Sequence, residues 1–150
     1  MRHILLDSSP LGIISNPARS VDVVAIMGWA TMCLSAGHVI CIPEVIDYEV
    51  RRELLRARKS AGVAELNRLK ARFRYLPITT DAMLLAAELW AQARQGGQST
   101  GDPKKLDIDV ILAAQALTLD VPAADVVIAT SNVGHLSQFV SADLWQNITP

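Results

Sequence analysis

The stretch VICIPEVIDYEVRREL, residues 39–54, decides the fold class. Its first four residues, 39–42, are all apolar, which is typical of a strand buried on both faces of a sheet. Pro43 suits the first position of a helix, and the apolar spacing beyond it predicts a helix over residues 44–61. A short buried strand followed at once by an amphipathic helix is the repeating unit of an α/β fold.

Short apolar runs alternate with helical patterns along the rest of the chain. Further strands are predicted at residues 3–6, 75–78 and 125–130, with a weak edge strand at 147–149. Further helices are predicted from Asp22 to Ser35, from Gly62 to about Phe73, from a cap at Thr80 or Asp81, from Asp107 or Asp109 to about Leu119, and briefly within 132–140. Loops are predicted at 8–12 and at 95–105, the second being long, polar and mobile. We therefore expect one α/β domain, residues 1–150, with a mostly parallel central sheet of four to five strands and helices on both faces.

Composition excludes several classes of protein. Of the 150 residues, 51% are hydrophobic and 19% are charged, which suits one buried core and excludes a disordered chain. No apolar run approaches the roughly 18 residues of a membrane span, and the first residues lack the apolar segment of a signal peptide. Cys33 and Cys41 are expected to be buried thiols rather than a disulfide, and no zinc-type spacing occurs. We therefore expect a cytoplasmic protein.

Positive charge is concentrated in one part of the chain. The net charge is only −1, yet nine Lys and Arg against two Glu lie between Arg51 and Arg74. A helix pair this basic can attract a polyanion such as nucleic acid, although a basic helix face is more often simply solvated. The segment becomes informative only if an acidic metal site lies beside it.

Acidic residues occur where an α/β fold collects its chemistry. Asp7 directly follows the first strand, at the carboxyl edge of the sheet where ligands bind. Glu49 lies about one and a half turns into the helix after the second strand. Asp107 and Asp109 flank Ile108 at a helix start, where a single aspartate suffices as a cap. Each acid alone has an ordinary structural explanation, as a turn former, a surface residue or a cap.

Carboxylates that converge from three distant segments repel one another strongly. A divalent cation removes that repulsion, and hard oxygen ligands favour Mg²⁺ or Mn²⁺ over zinc. We therefore predict a Mg²⁺ or Mn²⁺ site made by Asp7, Glu49 and Asp109, with Asp107 as a supporting ligand.

The segments that carry these acids resemble the PIN-domain family, especially its VapC-type toxins from bacterial toxin–antitoxin pairs. HILLDSSPLG, residues 3–12, is similar to the family's opening strand with its first metal-binding aspartate, here Asp7. IPEVIDYEVRREL, residues 42–54, is similar to the segment with the second acid, here Glu49, with Glu44 as the less favoured choice.

Two later segments extend the resemblance over nearly the whole chain. LDIDVILAAQAL, residues 106–117, is similar to the family's helix start, where the third acid precedes an Ile-x-Ala-Ala pattern. This aligns Asp109, with Asp107 in support. VVIATSNVGHLSQF, residues 126–139, resembles the last strand and its Thr-x-Asn loop.

That last segment also departs from the family pattern. Many members carry a fourth aspartate near the position held here by Ser131 or His135. Thr130, Ser131 and Asn132 are predicted as auxiliary residues that reach the metal through water, since Mg²⁺ keeps several waters. His135 is expected to pack the loop rather than act as a base, and Asp125 to lie at the opposite edge of the sheet.

The resemblance implies a metal-dependent endoribonuclease in which Asp7, Glu49 and Asp109 are the catalytic residues. A metal-activated water would attack an RNA phosphodiester in line with the leaving oxygen. Arg51 and Arg52, which directly follow the second acid, are predicted to bind the RNA backbone. The resemblance further implies the toxin of a type II toxin–antitoxin system, with a cognate antitoxin whose tail enters the acidic groove, a homodimer, and no membrane association.

Three other functions fit parts of the pattern. A PIN-like RNA-binding or scaffold domain, weakened or inactive because the fourth acid is missing, would bind no Mn²⁺. A structure-specific DNA nuclease shares the acidic cluster, but 150 residues leave little room for DNA-gripping insertions. A doubly wound nucleotide or phospho-acceptor domain would use Asp7, but residues 8–12 have too few glycines for a phosphate loop.

Overall fold

The central sheet of the protein is entirely parallel. A computed structural model describes residues 1–97 and 102–150. Within them, five strands pair in the order β3-β2-β1-β4-β5, and every neighbouring pair is parallel. The strands are β1 (His3–Leu6), β2 (Val39–Pro43), β3 (Arg74–Leu76), β4 (Val126–Ala129) and β5 (Ala142–Asp143). All strand carboxyl ends therefore lie at one edge of the sheet, and the predicted fold class is confirmed.

Helices cover the sheet and connect its strands. In the described residues they are α1 (Ser8–Ile14), α2 (Val21–Ser35), α3 (Glu44–Arg56), α4 (Ser60–Arg72), α5 (Thr80–Gln95), α6 (Pro103–Leu117) and α7 (Val133–Leu136), with 3₁₀ turns at Ala123–Asp125 and Trp145–Asn147. Ile4, Leu5 and Leu6 of β1 are all fully buried, so both faces of this strand are covered. Continuous apolar strands are typical of parallel sheets that are enclosed in this way.

A main core surrounds the sheet, and a smaller core of alanines and branched residues fills the space between α5 and α6. Trp29 of α2 contacts the ring of Trp145, and its indole N–H donates to the carbonyl of Ile148 at 2.9 Å, which fixes the C-terminal segment. Cys33 and Cys41 are buried free thiols, as predicted. In the described part of the chain, no helix is both long and apolar enough to cross a membrane.

The first predicted loop is wrong, because residues 8–14 form α1. The Asp7 carboxylate accepts the Ser8 amide at 2.7 Å and caps the helix. Pro10 stands in the first turn, where a proline costs no intrahelical hydrogen bond. The chain therefore turns from β1 into a helix without a spacer, and Asp7 is held between the two.

The predicted long helix at 44–61 is also wrong, since α3 ends at Arg56 and α4 begins at Ser60. The break is made by Arg58, whose backbone φ of 56° lies in the left-handed region. Gly62, expected as the separator, lies inside α4 and is packed against Leu54, where a Cβ would meet the leucine side chain at 2.9 Å. The close approach of α3 and α4 explains this glycine.

Several predicted ends shift because the capping residues differ from those expected. Pro43 ends β2 and precedes α3, Ser20 rather than Asp22 caps α2, and Thr79 rather than Thr80 or Asp81 caps α5. The third strand is Arg74–Leu76 instead of 75–78, and the edge strand is Ala142–Asp143 instead of 147–149, followed by a 3₁₀ turn at Trp145–Asn147.

Helix α6 begins earlier than predicted. Asp102 caps it by accepting the Lys104 amide at 3.0 Å, so Asp107 and Asp109 lie inside the helix and neither is its cap. The predicted loop at 95–105 shortens accordingly, because α5 runs to Gln95 and α6 starts at Pro103. Residues 98–101 lie outside the described residues, so the predicted mobility of this loop stays a prediction.

Candidate metal centre and its cleft

Asp7 lies at the carboxyl edge between the two central strands. Leu6 of β1 is paired with Ala129 of β4, so Asp7 and Thr130 follow side by side. The Thr130 hydroxyl donates to Asp7 Oδ2 at 2.7 Å, while the Ser8 amide donates to Oδ1. Thr130 Oγ1 in turn accepts the Asn132 amide at 2.9 Å. Asp7 is only 2% exposed, and these contacts hold its carboxylate in one orientation.

Glu49 and Asp109 face each other across the ammonium group of Lys105. The Lys105 Nζ lies 3.8 Å from Glu49 Oε1 and 3.6 Å from Asp109 Oδ1. Lys105 and Asp109 are four residues apart and therefore one turn apart on α6, whereas Glu49 comes from α3, which packs against α6. We call Asp7, Glu49 and Asp109 the acidic cluster.

Two carboxylate oxygens of the acidic cluster are buried without a hydrogen-bond partner among the described residues. They are Glu49 Oε1 and Asp109 Oδ1, the two oxygens nearest the ammonium group. Native proteins pair the great majority of their buried polar atoms, and exceptions mark sites with a further task. These oxygens are therefore available to a ligand that the protein chain does not supply.

The charges of this site alter each other's protonation. Burial raises the pKa of Asp109 above its ordinary value, and Lys105 opposes the rise. Desolvation acts to lower the pKa of Lys105, but Asp7, Asp109 and Glu49 together outweigh it, so the pKa of Lys105 is raised. Lys105 consequently stays charged at neutral pH and supplies a positive charge to the acidic cluster.

A buried glutamine anchors α6, and with it Asp109 and Lys105. Gln115 donates through Nε2 to the Leu76 carbonyl at 2.8 Å and accepts the Val45 amide at 3.3 Å. It therefore joins α6 to the end of β3 and the first turn of α3. Since α3 also carries Glu49, this link fixes the relative position of the two helices that supply the site.

The last predicted segment contributes in a different way than expected. His135 was expected to pack its loop, but its Nδ1 lies 4.0 Å from Asp109 Oδ2, at the rim of the acidic cluster. Thr130 is the residue that touches an acid directly, whereas Ser131 is exposed and Asn132 contacts Thr130 through its backbone. Asp125 precedes β4 and lies at the opposite edge, as predicted.

Asp107 and Glu44 are not brought into the acidic cluster. Asp107 is exposed and lines a cavity of about 450 Å³ with Met83 and Trp90, on another face of α6. Glu44 accepts the Tyr75 hydroxyl at 3.0 Å and the Ile78 amide at 2.9 Å, so it joins α3 to the end of β3. Glu49 is thus the acid of α3 that reaches the site.

The two predicted RNA-binding arginines point to different surroundings. Arg51 is bound to Asp47 through two hydrogen bonds of 3.0 and 3.1 Å and also donates to Asn67. Its guanidinium is therefore bound within the fold. Arg52 is exposed, with its guanidinium 5.0 Å from the Tyr48 ring, and it lines the cleft beside Glu49.

A cleft of about 580 Å³ opens beside the acidic cluster, between α1 and α3. Its lining includes Ser8, Ser15, the acids Glu49 and Glu53, and the basic side chains of Arg52, Arg56, Lys59 and Lys105. Arg56 is paired with Glu53 at 2.9 Å, so Arg52 and Lys59 are the stronger candidates for a phosphate. We call this the α1–α3 cleft. Three residues of the basic segment, Arg52, Arg56 and Lys59, therefore line the same cleft as Glu49.

The donor atoms of the acidic cluster suit a divalent ion, but their present arrangement does not surround one. Its donors are carboxylate oxygens, the ligands that Mg²⁺ and Mn²⁺ prefer, and two of them are buried without a partner. Yet among the described residues no three His, Cys, Asp or Glu side chains lie close enough together to hold a metal ion as they stand. The ammonium of Lys105 lies between two of the acids, where a cation would bind.

Lys105 is the functional residue that the sequence analysis missed. It belongs to the stretch assigned to a polar loop, and its charge carried no obvious meaning there. The available signal was its spacing: a lysine four residues before an acid, on a helix, faces that acid. Recognising it required placing the start of α6 at residue 103.

Comparisons with known proteins agree with this fold. A family model described as PIN domain matches residues 4–133. No curated protein matches the chain at a significant level of sequence similarity. Similar solved structures include VapBC2 from Rickettsia felis bound to a DNA fragment from their promoter, with 14% identity, a TM-score of 0.73, and coverage of 95% of this chain and 98% of that one.

Two further structures are comparably similar. VapBC-1 from nontypeable Haemophilus influenzae has 14% identity and a TM-score of 0.68, covering 97% of this chain and 99% of its own. DNA-bound VapBC from Salmonella typhimurium has 16% identity and a TM-score of 0.64, with the same coverage. At such identities the likeness concerns the fold.

Proposed function

The chain belongs to the PIN domain family, and from this premise we propose that it is a Mg²⁺- or Mn²⁺-dependent endoribonuclease that hydrolyses RNA phosphodiester bonds. The observation that carries the proposal is the acidic cluster, whose unpartnered buried oxygens face a cation position beside a cleft with basic walls. An ordinary surface cluster of acids would have its oxygens in water or in hydrogen bonds.

Each member of the acidic cluster has a defined part in this proposal. Asp7, Glu49 and Asp109 would hold the ion, and Thr130 orients Asp7 through the hydroxyl that it donates. When bound, the ion supplies an activated water and stabilises charge on the phosphoryl oxygens. Ser131 and Asn132 remain proposed auxiliary residues that act through water, and His135 lies where it can contact substrate near Asp109.

The α1–α3 cleft would bind the RNA backbone. Arg52 and Lys59 line it, and their charges offset the repulsion between the acidic cluster and phosphate. Arg52 therefore keeps its predicted role, whereas Arg51 is assigned to the structural pair with Asp47.

We further propose that the protein is the toxin of a type II toxin–antitoxin pair, with a cognate antitoxin and a homodimeric state. The fold shared with VapBC structures supports this assignment. Leu84 and Trp90 of α5 are 64% and 40% exposed and suit a protein contact. Leu66 and Leu69 of α4 are buried in the core and offer no such surface. Light scattering after size exclusion tests the dimer, and a monomer at tens of micromolar would refute it.

The catalytic proposal is tested by RNA cleavage with Mn²⁺, with EDTA, and with the Asp7→Asn variant. We expect cleavage by the wild type with Mn²⁺ alone, and equal cleavage by wild type and Asp7→Asn would refute the assignment. Single-stranded DNA of the same sequence is the matched substrate control, and preferential cleavage of DNA would favour a DNA nuclease.

A second candidate is a weakened or inactive PIN-like RNA-binding domain. It is favoured by the missing fourth acid at Ser131 and by the open arrangement of the acids in the described residues. Mn²⁺ titration separates the two candidates. A folded protein that binds RNA but no Mn²⁺ at millimolar concentration would support the inactive domain.

A further inference from the structure

The most unusual feature of the acidic cluster is the lysine within it. We propose that Lys105 is a built-in counter-ion, which neutralises the acidic cluster when no metal is bound and which a divalent ion has to displace, so that Lys105 sets the metal affinity of the site. The inference rests on the proposed metal site and adds its regulation by a residue of this chain.

The contacts of Lys105 are those of a displaceable charge. Its ammonium lies 3.6 and 3.8 Å from two carboxylate oxygens, beyond ordinary hydrogen-bond distance, and both oxygens remain unpartnered. Arg51 shows the opposite arrangement, since it holds Asp47 by two hydrogen bonds of 3.0 and 3.1 Å. Lys105 therefore balances the charge of the acids without saturating them.

The Lys105 ammonium also has space to move away from the acids. Its side chain is 34% exposed and reaches the acids from the mouth of the α1–α3 cleft, which it lines together with Arg52. A lysine has a flexible four-carbon stem, so its ammonium can turn into the cleft while α6, anchored by Gln115, stays in place. There it adds a positive charge next to the phosphate-binding side chains.

The acidic cluster is open as it stands, since no ready-made three-ligand group exists in the described part of the chain. The Lys105 ammonium lies within 4 Å of two of its carboxylates. Loss of the ammonium leaves like charges unbalanced in a buried place. A divalent ion replaces that single charge with two and draws the acids together.

The test measures Mn²⁺ binding by calorimetry, without RNA, for the wild type, Lys105→Met and Lys104→Met. Lys104 is the matched control because it is the neighbouring lysine on α6 and is exposed. We expect Lys105→Met to bind Mn²⁺ about tenfold tighter than the wild type, since a competing charge in contact with the ligands is removed. Lys104→Met should stay within about twofold, because an exposed charge is screened.

Thermal unfolding in EDTA and in Mn²⁺ gives a second readout. Without metal, Lys105→Met should melt below the wild type because its acids repel, and Mn²⁺ should raise its melting temperature by more than it raises that of the wild type. Lys105→Arg keeps the charge and should retain the weaker Mn²⁺ affinity. If Lys105→Met fails to fold, Lys105→Gln replaces it in both measurements.

Each outcome decides the inference. A less stable Lys105→Met with unchanged Mn²⁺ affinity would make Lys105 a purely structural ion pair and would overturn the inference, while the proposed metal site would stand. Mn²⁺ binding by Lys105→Met but not by the wild type would support it. Absence of Mn²⁺ binding by both proteins would overturn the metal site and the inference together.

Discussion

Helix α3 carries acids on two sides, and the two sides differ in how their carboxylates are bound. Glu44 accepts hydrogen bonds from Tyr75 and Ile78, and Asp47 accepts two from Arg51. Glu49, two residues beyond Asp47, faces Lys105 and keeps one buried oxygen without a partner. We call Glu44 and Asp47 the partnered acids, in contrast to the acidic cluster.

The contrast between Glu49 and the partnered acids lies in the hydrogen bonds that each carboxylate accepts. Both groups lie near the carboxyl edge of the sheet, and both contain buried or half-buried carboxylates. Saturated oxygens tie elements together, as Glu44 ties α3 to the end of β3. Unsaturated buried oxygens cost free energy, and they persist where a ligand satisfies them. The predictions below test whether this difference separates structure from catalysis.

The largest expected effect on RNA cleavage comes from replacing one acid of the acidic cluster, with the replacement of one partnered acid as its control. Asp109→Asn should lower Mn²⁺-dependent RNA cleavage by at least about 100-fold, because loss of a proposed ligand should exceed the roughly 10- to 100-fold effect of outer contacts. Asp47→Asn removes the same charge from the partnered side. It should leave cleavage within about twofold and lower stability by about 1 kcal/mol.

Steady-state cleavage and urea unfolding of both variants measure this difference. The same loss of cleavage in Asp47→Asn and Asp109→Asn would abolish the distinction between the two sides.

A smaller effect, on Mn²⁺ affinity, is expected from Thr130→Val. This variant lacks the hydroxyl that donates a hydrogen bond to Asp7 at 2.7 Å. Valine keeps the shape of threonine, so the change removes the two hydrogen bonds of the hydroxyl, to Asp7 and from the Asn132 amide, with little change in packing. We expect Mn²⁺ affinity to fall by about 10-fold, as for other residues that orient a ligand. Calorimetric titration checks this, and an unchanged affinity would show that Asp7 needs no support from β4.

Arg51 and Arg52 allow the same comparison for basic residues, between a side chain bound within the fold and an exposed one. Arg52→Ala should weaken binding of a single-stranded RNA several-fold and reduce the slope of log affinity against log salt by about 0.7, the value for one phosphate contact. Arg51→Ala should leave that slope unchanged and lower stability, because Arg51 is bound to Asp47 and Asn67. Fluorescence anisotropy at several salt concentrations measures the slope, and a reversed result would exchange the two roles.

The smallest expected effect is on the titration of Tyr75, which is hydrogen-bonded to the partnered acid Glu44. Burial, together with the hydrogen bond to Glu44, raises the pKa of Tyr75 from 10.0 to about 12. The folded state therefore holds this proton more tightly than the unfolded state. Its contribution to stability is complete below pH 10 and is lost as the pH rises through about 12. Absorbance titration at 295 nm should show one tyrosine titrating late, and Glu44→Gln should bring it earlier.

Much of the fold was accessible from local patterns. Apolar runs such as 39–42 and helical spacing after them require only neighbouring residues, so the α/β class and the four main strands were predicted correctly. Helix ends were not, because they depend on which side chain reaches a backbone amide. The cap of α6 is Asp102 rather than Asp107 or Asp109, and the break after α3 depends on the left-handed backbone of Arg58.

The residues of the candidate site were likewise only partly accessible from the sequence. Sequence position and family resemblance led to Asp7, Glu49 and Asp109, but they also included Asp107 and Arg51, which the fold places elsewhere. Their different surroundings were not predictable from adjacency, because residues one or two positions apart on a helix point in different directions. Lys105 was missed for the complementary reason, since its role depends on Glu49 from another helix.

By itself, the sequence determined the alternation of buried strands with helices and the presence of acids at the carboxyl edge. These follow from periodicity and from parallel pairing, which fixes the strand ends on one side. Only the tertiary structure decided which acids are satisfied. Glu44 finds its donors 31 and 34 residues away, and Asp7 is held by a hydroxyl 123 residues away. Hydrogen-bond saturation depends on such distant partners, and among the described residues it separates Glu44 and Asp47 from Glu49 and Asp109, each of which keeps one buried oxygen without a partner.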